Sequence, residues 1–270
     1  MTNTEKALDS FADERDFKLL EQDRYTFCVL SRIMKGEHEL FLTDHEKLIL
    51  FFTSQPYPVW IWMPDDATTE EKERAFALAK ENGLIDGKHN FNLKYDLADY
   101  FMKRAKEEGV ELSIKTNMFA YDCPDPIKPS FESDGAMHSA TMDDYETLVD
   151  FMDMFHTETN VDQQGRDVYR EQAKGCIESG RLHFWKDAQG NTVASCNYAP
   201  NEDMASINLV FTHPDFRRKH YAENLVYEVT MLVKNEGYMP MLYTDADYVA
   251  SNACYEKIGY KLKGKLCTIG

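Results

Sequence analysis

Ile207-Asn208-Leu209-Val210-Phe211-Thr212-His213-Pro214-Asp215-Phe216-Arg217-Arg218-Lys219-His220-Tyr221-Ala222 reads, in order, as a strand, a proline-bearing turn, a basic loop and the opening of a long helix. The strand rests on the β-branched and aromatic residues of 205–212. The helix rests on Leu225, Val226, Val229, Leu232 and Val233, which recur at helical period to about residue 236, with Gly237 where a C-terminal cap favours glycine. A loop feeding a helix N-terminus is suited to anions, because unpaired backbone N–H groups and the positive end of the helix dipole meet there. Arg217, Arg218 and Lys219 stand directly before that terminus in a chain of net charge −17. A diphosphate is the ligand such an arrangement suits; a solvated basic turn is the plain alternative.

Upstream, 182–187, 192–198 and 205–212 read as strands of an antiparallel meander, separated by the turns Gln189-Gly190-Asn191 and Ala199-Pro200-Asn201. A helix is expected from Met142-Asp143-Asp144 to about residue 157, with Thr141 as its cap. Downstream come a strand at 240–244, a short helix at 251–258 and a closing strand at 260–266.

The three prolines Pro124, Pro126 and Pro129 and the polar residues to Gly135 predict a linker over 124–135. That divides the chain into domains 1–123 and 136–270. In the first, helices are expected at 44–52, 68–81 (capped by Thr68 or Thr69) and 97–108, with strands at 58–63 and 111–119. This alternation indicates an α/β domain, without a glycine-rich phosphate loop or a cluster of catalytic residue types. Trp60 and Trp62 read as core or sheet-face residues.

With 270 residues, of which 43% are hydrophobic, the chain can fill two cores. No apolar run is long enough to span a bilayer, and the polar, acidic N-terminus does not read as a secretory signal, so a cytoplasmic location is expected, with no membrane partner. The six cysteines show neither C-x-x-C pairing nor zinc spacing and are expected to be reduced and structural, with no metal bound. The acidic balance disfavours a nucleic-acid partner and hints at cationic substrates; solubility is the bland account of it.

Arg217 to Ala222 resembles the signature of the GNAT superfamily of N-acetyltransferases, Arg/Gln-x-x-Gly-x-Gly/Ala, with His220 standing where the family has its central glycine. Ser251-Asn252-Ala253-Cys254-Tyr255-Glu256-Lys257-Ile258-Gly259-Tyr260 resembles the family's Asn-x-x-Tyr-x-x-x-Gly-Phe/Tyr element, in the right order and spacing. The resemblance implies an α/β (α+β) architecture: a C-terminal GNAT fold with a mixed, mostly antiparallel sheet flanked by helices. The first half, through Phe91-Asn92-Leu93-Lys94-Tyr95, is similar to the N-terminal region of two-domain bacterial GNAT proteins, often a degenerate GNAT-like half.

The same resemblance implies acetyl-CoA as cosubstrate, CoA as product, and direct attack by a primary amine on a small molecule or peptide. The strand ending at Thr212 would splay from its neighbour at Tyr243, so that Leu209, Val210, Phe211 and Thr212 meet the pantetheine arm and Leu209 or Val210 N–H polarises the thioester carbonyl. Arg217, Arg218, Lys219, His220, Tyr221 and Ala222 would hold the pyrophosphate. Asn252 would contact the cofactor, and the Tyr255 hydroxyl would act as general acid toward the departing thiolate. For the base, Asp245 and Asp247 are first candidates, then Glu202 and Asp203. Three rival readings stand beside this one: a CoA-binding regulatory protein without turnover, a transferase for a longer acyl group, and a ping-pong route through Cys254. Homodimerisation is compatible with the pattern but not required by it.

Overall fold

The computed structural model describes residues 7–159 and 163–270. In chain order the first elements are α1 (Glu14–Leu20), α2 (Cys28–Ile33), β1 (Leu40–Thr43), β2 (Ile49–Phe52), β3 (Val59–Trp62), α3 (Thr69–Glu81), β4 (Phe91–Leu93), α4 (Tyr95–Glu107) and β5 (Ile114–Asp122). Then follow β6 (Ala136–Ser139), α5 (Tyr145–Thr159), α6 (Arg166–Glu178), β7 (Leu182–Lys186), β8 (Thr192–Asn201), β9 (Met204–Thr212), α7 (Tyr221–Asn235), β10 (Met239–Asp245), α8 (Val249–Ile258) and β11 (Lys261–Ile269). The chain forms two compact units. One holds the described residues up to Ala120 with Thr244–Asp247 and Lys263–Gly270; the other holds Tyr121–Tyr243 and Tyr248–Leu262.

In the first unit the strands are ordered β1-β2-β3-β4-β11-β5. β11 enters this sheet because its alternating apolar residues complete the core: Cys267 and Ile269 are fully buried, and β11 pairs antiparallel with β4 through Cys267↔Leu93 and Ile269↔Phe91. The end of the chain therefore leaves the continuous 136–270 domain expected from sequence. Phe76 of α3 and Phe91 of β4 each meet the Phe101 ring of α4 edge-on, at centroid distances of 5.3 and 5.7 Å. Thr68 caps α3 in a reciprocal bond with Glu71, as the Thr-x-x-Glu spacing predicts.

Residues 44–52 are not a helix. Asp44 Oδ1 accepts the backbone N–H groups of Glu46, Lys47 and Leu48, closing a tight turn, and β2 returns antiparallel to β1. A short apolar run that is buried on both faces carries no period to separate strand from helix. Trp60 and Trp62 are core residues, with Trp62 Nε1 donating to Asp23. Asp16, wholly buried, accepts from Thr43 Oγ1 and bonds His45 Nδ1 at 2.8 Å, fastening α1 to the β1–β2 turn.

In the second unit the order is β10-β9-β8-β7-β6, with β7, β8 and β9 forming the expected antiparallel meander. The turn anticipated at 199–201 falls instead at Glu202 and Asp203, since Pro200 pairs opposite Ala205 and Asn201 opposite Met204. Two elements escaped the sequence reading, β6 and α6. α6 shows its period only weakly, through Tyr169, Ala173 and Ile177, which are buried on one face of an otherwise polar helix. Phe151 of α5 packs edge-on against Phe184 of β7 and Phe211 of β9.

The proline-bearing stretch 124–135 is fastened rather than a free linker. Ile127 N–H donates to Ile258 O at 2.6 Å, Ser133 Oγ to Lys219 O at 2.7 Å, and Trp185 Nε1 to Asp134 O at 2.7 Å. The division between units falls at Ala120 and Tyr121, inside β5. The prolines remove donors and helix, but the Ile127 N–H and the Phe131 and Asp134 carbonyls find partners in the second unit.

Candidate functional site

The parallel ladder between β9 and β10 runs from Met204↔Met239 to Ile207↔Leu242 and stops, although β9 continues to Thr212. The other edge of β9 stays paired with β8 up to Thr212↔Ala194. An irregularity between Ser195 and Asn197 lies in that ladder, and Leu209 adopts φ 49°, with Ser195 Oγ donating to Leu209 O at 2.9 Å. A bulge of this kind bends a strand and re-aims its backbone groups. Residues 208–212 thus lie outside the β9–β10 ladder, beside a locally twisted backbone.

A single turn, Pro214–Phe216, capped by His213 Nδ1, leads from β9 into the basic loop. Arg218 (φ 60°) and His220 (φ 63°) are both left-handed, and α7 begins at Tyr221 without a side-chain cap. Left-handed residues alternating along a loop turn successive N–H groups toward one concavity, and the uncapped first turn of a helix adds more. The cations divide in role. The Arg217 guanidinium is bound to Glu158 and to Thr212 O and lies over the Phe211 ring, so it braces the end of β9. The Arg218 guanidinium has no ion pair among the described residues, and the Lys219 ammonium lies over the Phe216 ring.

The left-handed backbone at His220 explains the family's preference for glycine there. The imidazole turns aside: Nδ1 bonds Glu223 Oε2 at 2.9 Å and the ring lies 4.9 Å from Phe131. His220→Gly is expected to relieve about 1 kcal/mol of backbone cost, partly offset by loss of the Glu223 bond. It should leave acetyl-CoA affinity within about threefold of wild type, read by calorimetry; a tenfold gain would mean that the ring obstructs the loop.

α8 begins at Val249, two residues earlier than expected, so Asn252 is inside the first turn, with its N–H on Tyr248 O, and is not the cap. Tyr255 is buried, its ring edge-on to Tyr260, whose hydroxyl bonds Thr230 Oγ1 at 2.7 Å. Burial, and then the neighbouring thiols of Cys254 and Cys196, push the Tyr255 hydroxyl well above the ordinary phenol range. Burial also pushes the Cys254 thiol up to about 12. A thiol held protonated is a poor nucleophile, which argues against the ping-pong route.

Between α5, α6 and the β8–β9 pair lies a cavity of about 550 Å³. Met152, Phe155, Leu209, Arg181, Asn208 and His156 are among its walls, so the bulged Leu209 borders both the interrupted ladder and this cavity. The His156 ring stacks on Tyr169 at 5.0 Å. None of the anticipated bases is in the wall. Glu202 and Asp203 form the β8–β9 turn, roughly 20 Å along β9 from Leu209 at the usual strand rise. Asp245 and Asp247 group with the first unit, where Asp247 accepts from Asn117 Nδ2. His156 and Arg181 were missed because neither lies in a motif; one sits in the last turn of an amphipathic helix and the other just ahead of a strand.

Residues 188–269 match the family model described as FR47-like protein. No curated protein matches the chain. Among solved structures, a GCN5-related N-acetyltransferase from Sphaerobacter thermophilus aligns over 99% of this chain and 96% of its own, at TM-score 0.70 and 10% identity. A GNAT-family acetyltransferase from Colwellia psychrerythraea aligns over 97% and 98%, at TM-score 0.61 and 10% identity. A GCN5-related N-acetyltransferase from Kribbella flavida aligns over 83% and 86%, at TM-score 0.57 and 13% identity. At these identities the likeness is one of fold, and it extends through both units.

Proposed function

We propose, for a chain of GNAT fold whose residues 188–269 match the FR47-like family, that the protein is an acyltransferase using acetyl-CoA to acetylate a primary amine by direct attack. The observation that carries this reading is the β9–β10 ladder that ends at Ile207↔Leu242 next to the Leu209 bulge and ahead of the uncapped α7 terminus. The pantetheine arm would pair with the β9 edge at 208–212, and the pyrophosphate would sit on the N–H groups of 218–222 with Arg218 and Lys219 nearby. The amine nitrogen bonds to the thioester carbonyl carbon, the carbonyl oxygen takes up charge against Leu209 or Val210 N–H, and collapse breaks the C–S bond.

Tyr255 has a narrower role than full proton transfer. Its hydroxyl is held neutral by burial, whereas an ordinary thiol titrates near 8.5, so complete donation to sulfur runs uphill. A hydrogen bond to the developing thiolate stabilises the departing group without that penalty. Tyr255→Phe is expected to lower kcat about a hundredfold with little change in KM for acetyl-CoA, measured by release of free CoA thiol. An unchanged kcat would remove Tyr255 from the reaction. His156, in the cavity wall, is our assignment for taking the amine's proton, ahead of Asp245 and Asp247; full turnover by His156→Gln returns that role to the aspartates.

A histidine at 220, where the family has glycine, is the feature that would favour a CoA-binding protein without catalysis, and the side chain's turn toward Glu223 and Phe131 removes that motive. Cofactor binding without thiol release for any amine would restore it.

A further inference from the structure

The chain carries 47 acidic residues in 270, yet none of those among the described residues borders the cavity between α5, α6 and the β8–β9 pair. Its charged wall group is Arg181, at the mouth of β7, whose guanidinium makes no ion pair or hydrogen bond among the described residues. Other arginines of the same unit are engaged: Arg166 with Asp150 at 2.8 Å, Arg170 with Asp167 at 3.1 Å, and Arg217 with Glu158. Glu236 accepts from the hydroxyl of the wall residue Tyr198 at 2.7 Å but is not itself in the wall. The described wall thus carries a guanidinium and no carboxylate, in a chain of net charge −17.

We infer that the amine accepted here carries an anionic group, a carboxylate, on a compact apolar body. This deepens the acetyltransferase reading and rests on it. Arg181 offers the planar fork that pairs with a carboxylate through two parallel N–H bonds. Phe155, Met152 and Leu209 offer apolar surface to the body, and the volume is that of a small-molecule site. A wall without carboxylates gives an ammonium no partner, and a nearby guanidinium disfavours it further, so the amine is held in the neutral form that attack requires. Polyamines and lysine-rich peptides, which the net charge of −17 would attract over distance, meet no carboxylate among the described residues of the wall.

The test uses product analogues in the full-length protein, so that binding is read without turnover. N-acetyl-L-phenylalanine is expected to bind at least tenfold more tightly than N-acetylphenethylamine, which lacks only the carboxylate, by calorimetry. Arg181→Ala should abolish that difference, and Arg181→Lys should keep part of it; the melting temperature of each variant reports that the exposed substitution leaves the fold intact. Equal binding of the two analogues, no binding by either, a contrast that survives in Arg181→Ala, or tighter binding of N-acetylspermidine overturns the inference. The melting shift with acetyl-CoA is recorded separately: its absence overturns the acetyltransferase reading while the analogue contrast still decides the question of charge.

Discussion

Saturating acetyl-CoA is expected to raise the melting temperature of the wild-type protein, and the double variant Arg217→Glu/Arg218→Glu to lose that rise. At a cofactor concentration a hundred times Kd the stabilisation is about 2.7 kcal/mol, which for a chain of this size corresponds to a shift on the order of 5–10 °C. The two substitutions act differently. Arg218 has no ion pair among the described residues to lose, so reversing it would set a negative charge against a pyrophosphate bound at this loop. Arg217 braces Glu158 and Thr212 O, so reversing it places two carboxylates together and loosens the end of β9. Arg218→Glu alone should therefore remove most of the cofactor shift at unchanged basal melting temperature, and Arg217→Glu alone should lower both. A wild-type protein that shows no shift, or a double variant that keeps it, would move the anion site away from this loop.

Gly135→Ala is expected to destabilise the protein by about 3 kcal/mol or more, read as a lowered urea midpoint. The glycine has φ 86°, where an L side chain costs about 1–2 kcal/mol. A Cβ there would stand 1.9 Å from Lys186 O and 2.7 Å from Asp187 Cα, so backbone must move to admit it. Gly190→Ala is the control: its φ of 84° is similar, but a Cβ would meet nothing within 4 Å, so only the conformational cost remains. Equal losses for the two would show that the close approach at Gly135 is relieved elsewhere. The consequence for the architecture is that the stretch read from sequence as a linker is packed tightly enough to be sensitive to one methyl group.

The loop and α7 were legible because their chemistry is local. A turn proline, three cations, a helical apolar period and a terminal glycine are all written within thirty residues, and Tyr221–Asn235 forms where they indicate. The start of α3 was legible for the same reason, to within the choice between Thr68 and Thr69, and the reciprocal bond of Thr68 with Glu71 decides it. What failed lacked a period of its own. Ile49–Phe52 pair with β1 and β3, which lie close by in sequence, but the run Leu48 to Phe52 is buried throughout, and no property of the run itself excludes a helix. The cavity residues were illegible for a different reason: what sets Arg181 apart is its place in the cavity wall without an ion pair among the described residues, and that is visible only in three dimensions.

β11 gives the first unit a seam that is sewn last. On the ribosome, residues up to Ala120 emerge long before Cys267 and Ile269 reach Leu93 and Phe91, so the N-terminal sheet waits with an open slot between β4 and β5 while the second unit is made. Exposed strand edges of that kind invite pairing with other chains, and their closure over such a sequence separation is slow. Halves separated by genetic cutting near Tyr121 would be unequal for this reason: the C-terminal piece carries away a strand that the N-terminal piece needs to become a folded body.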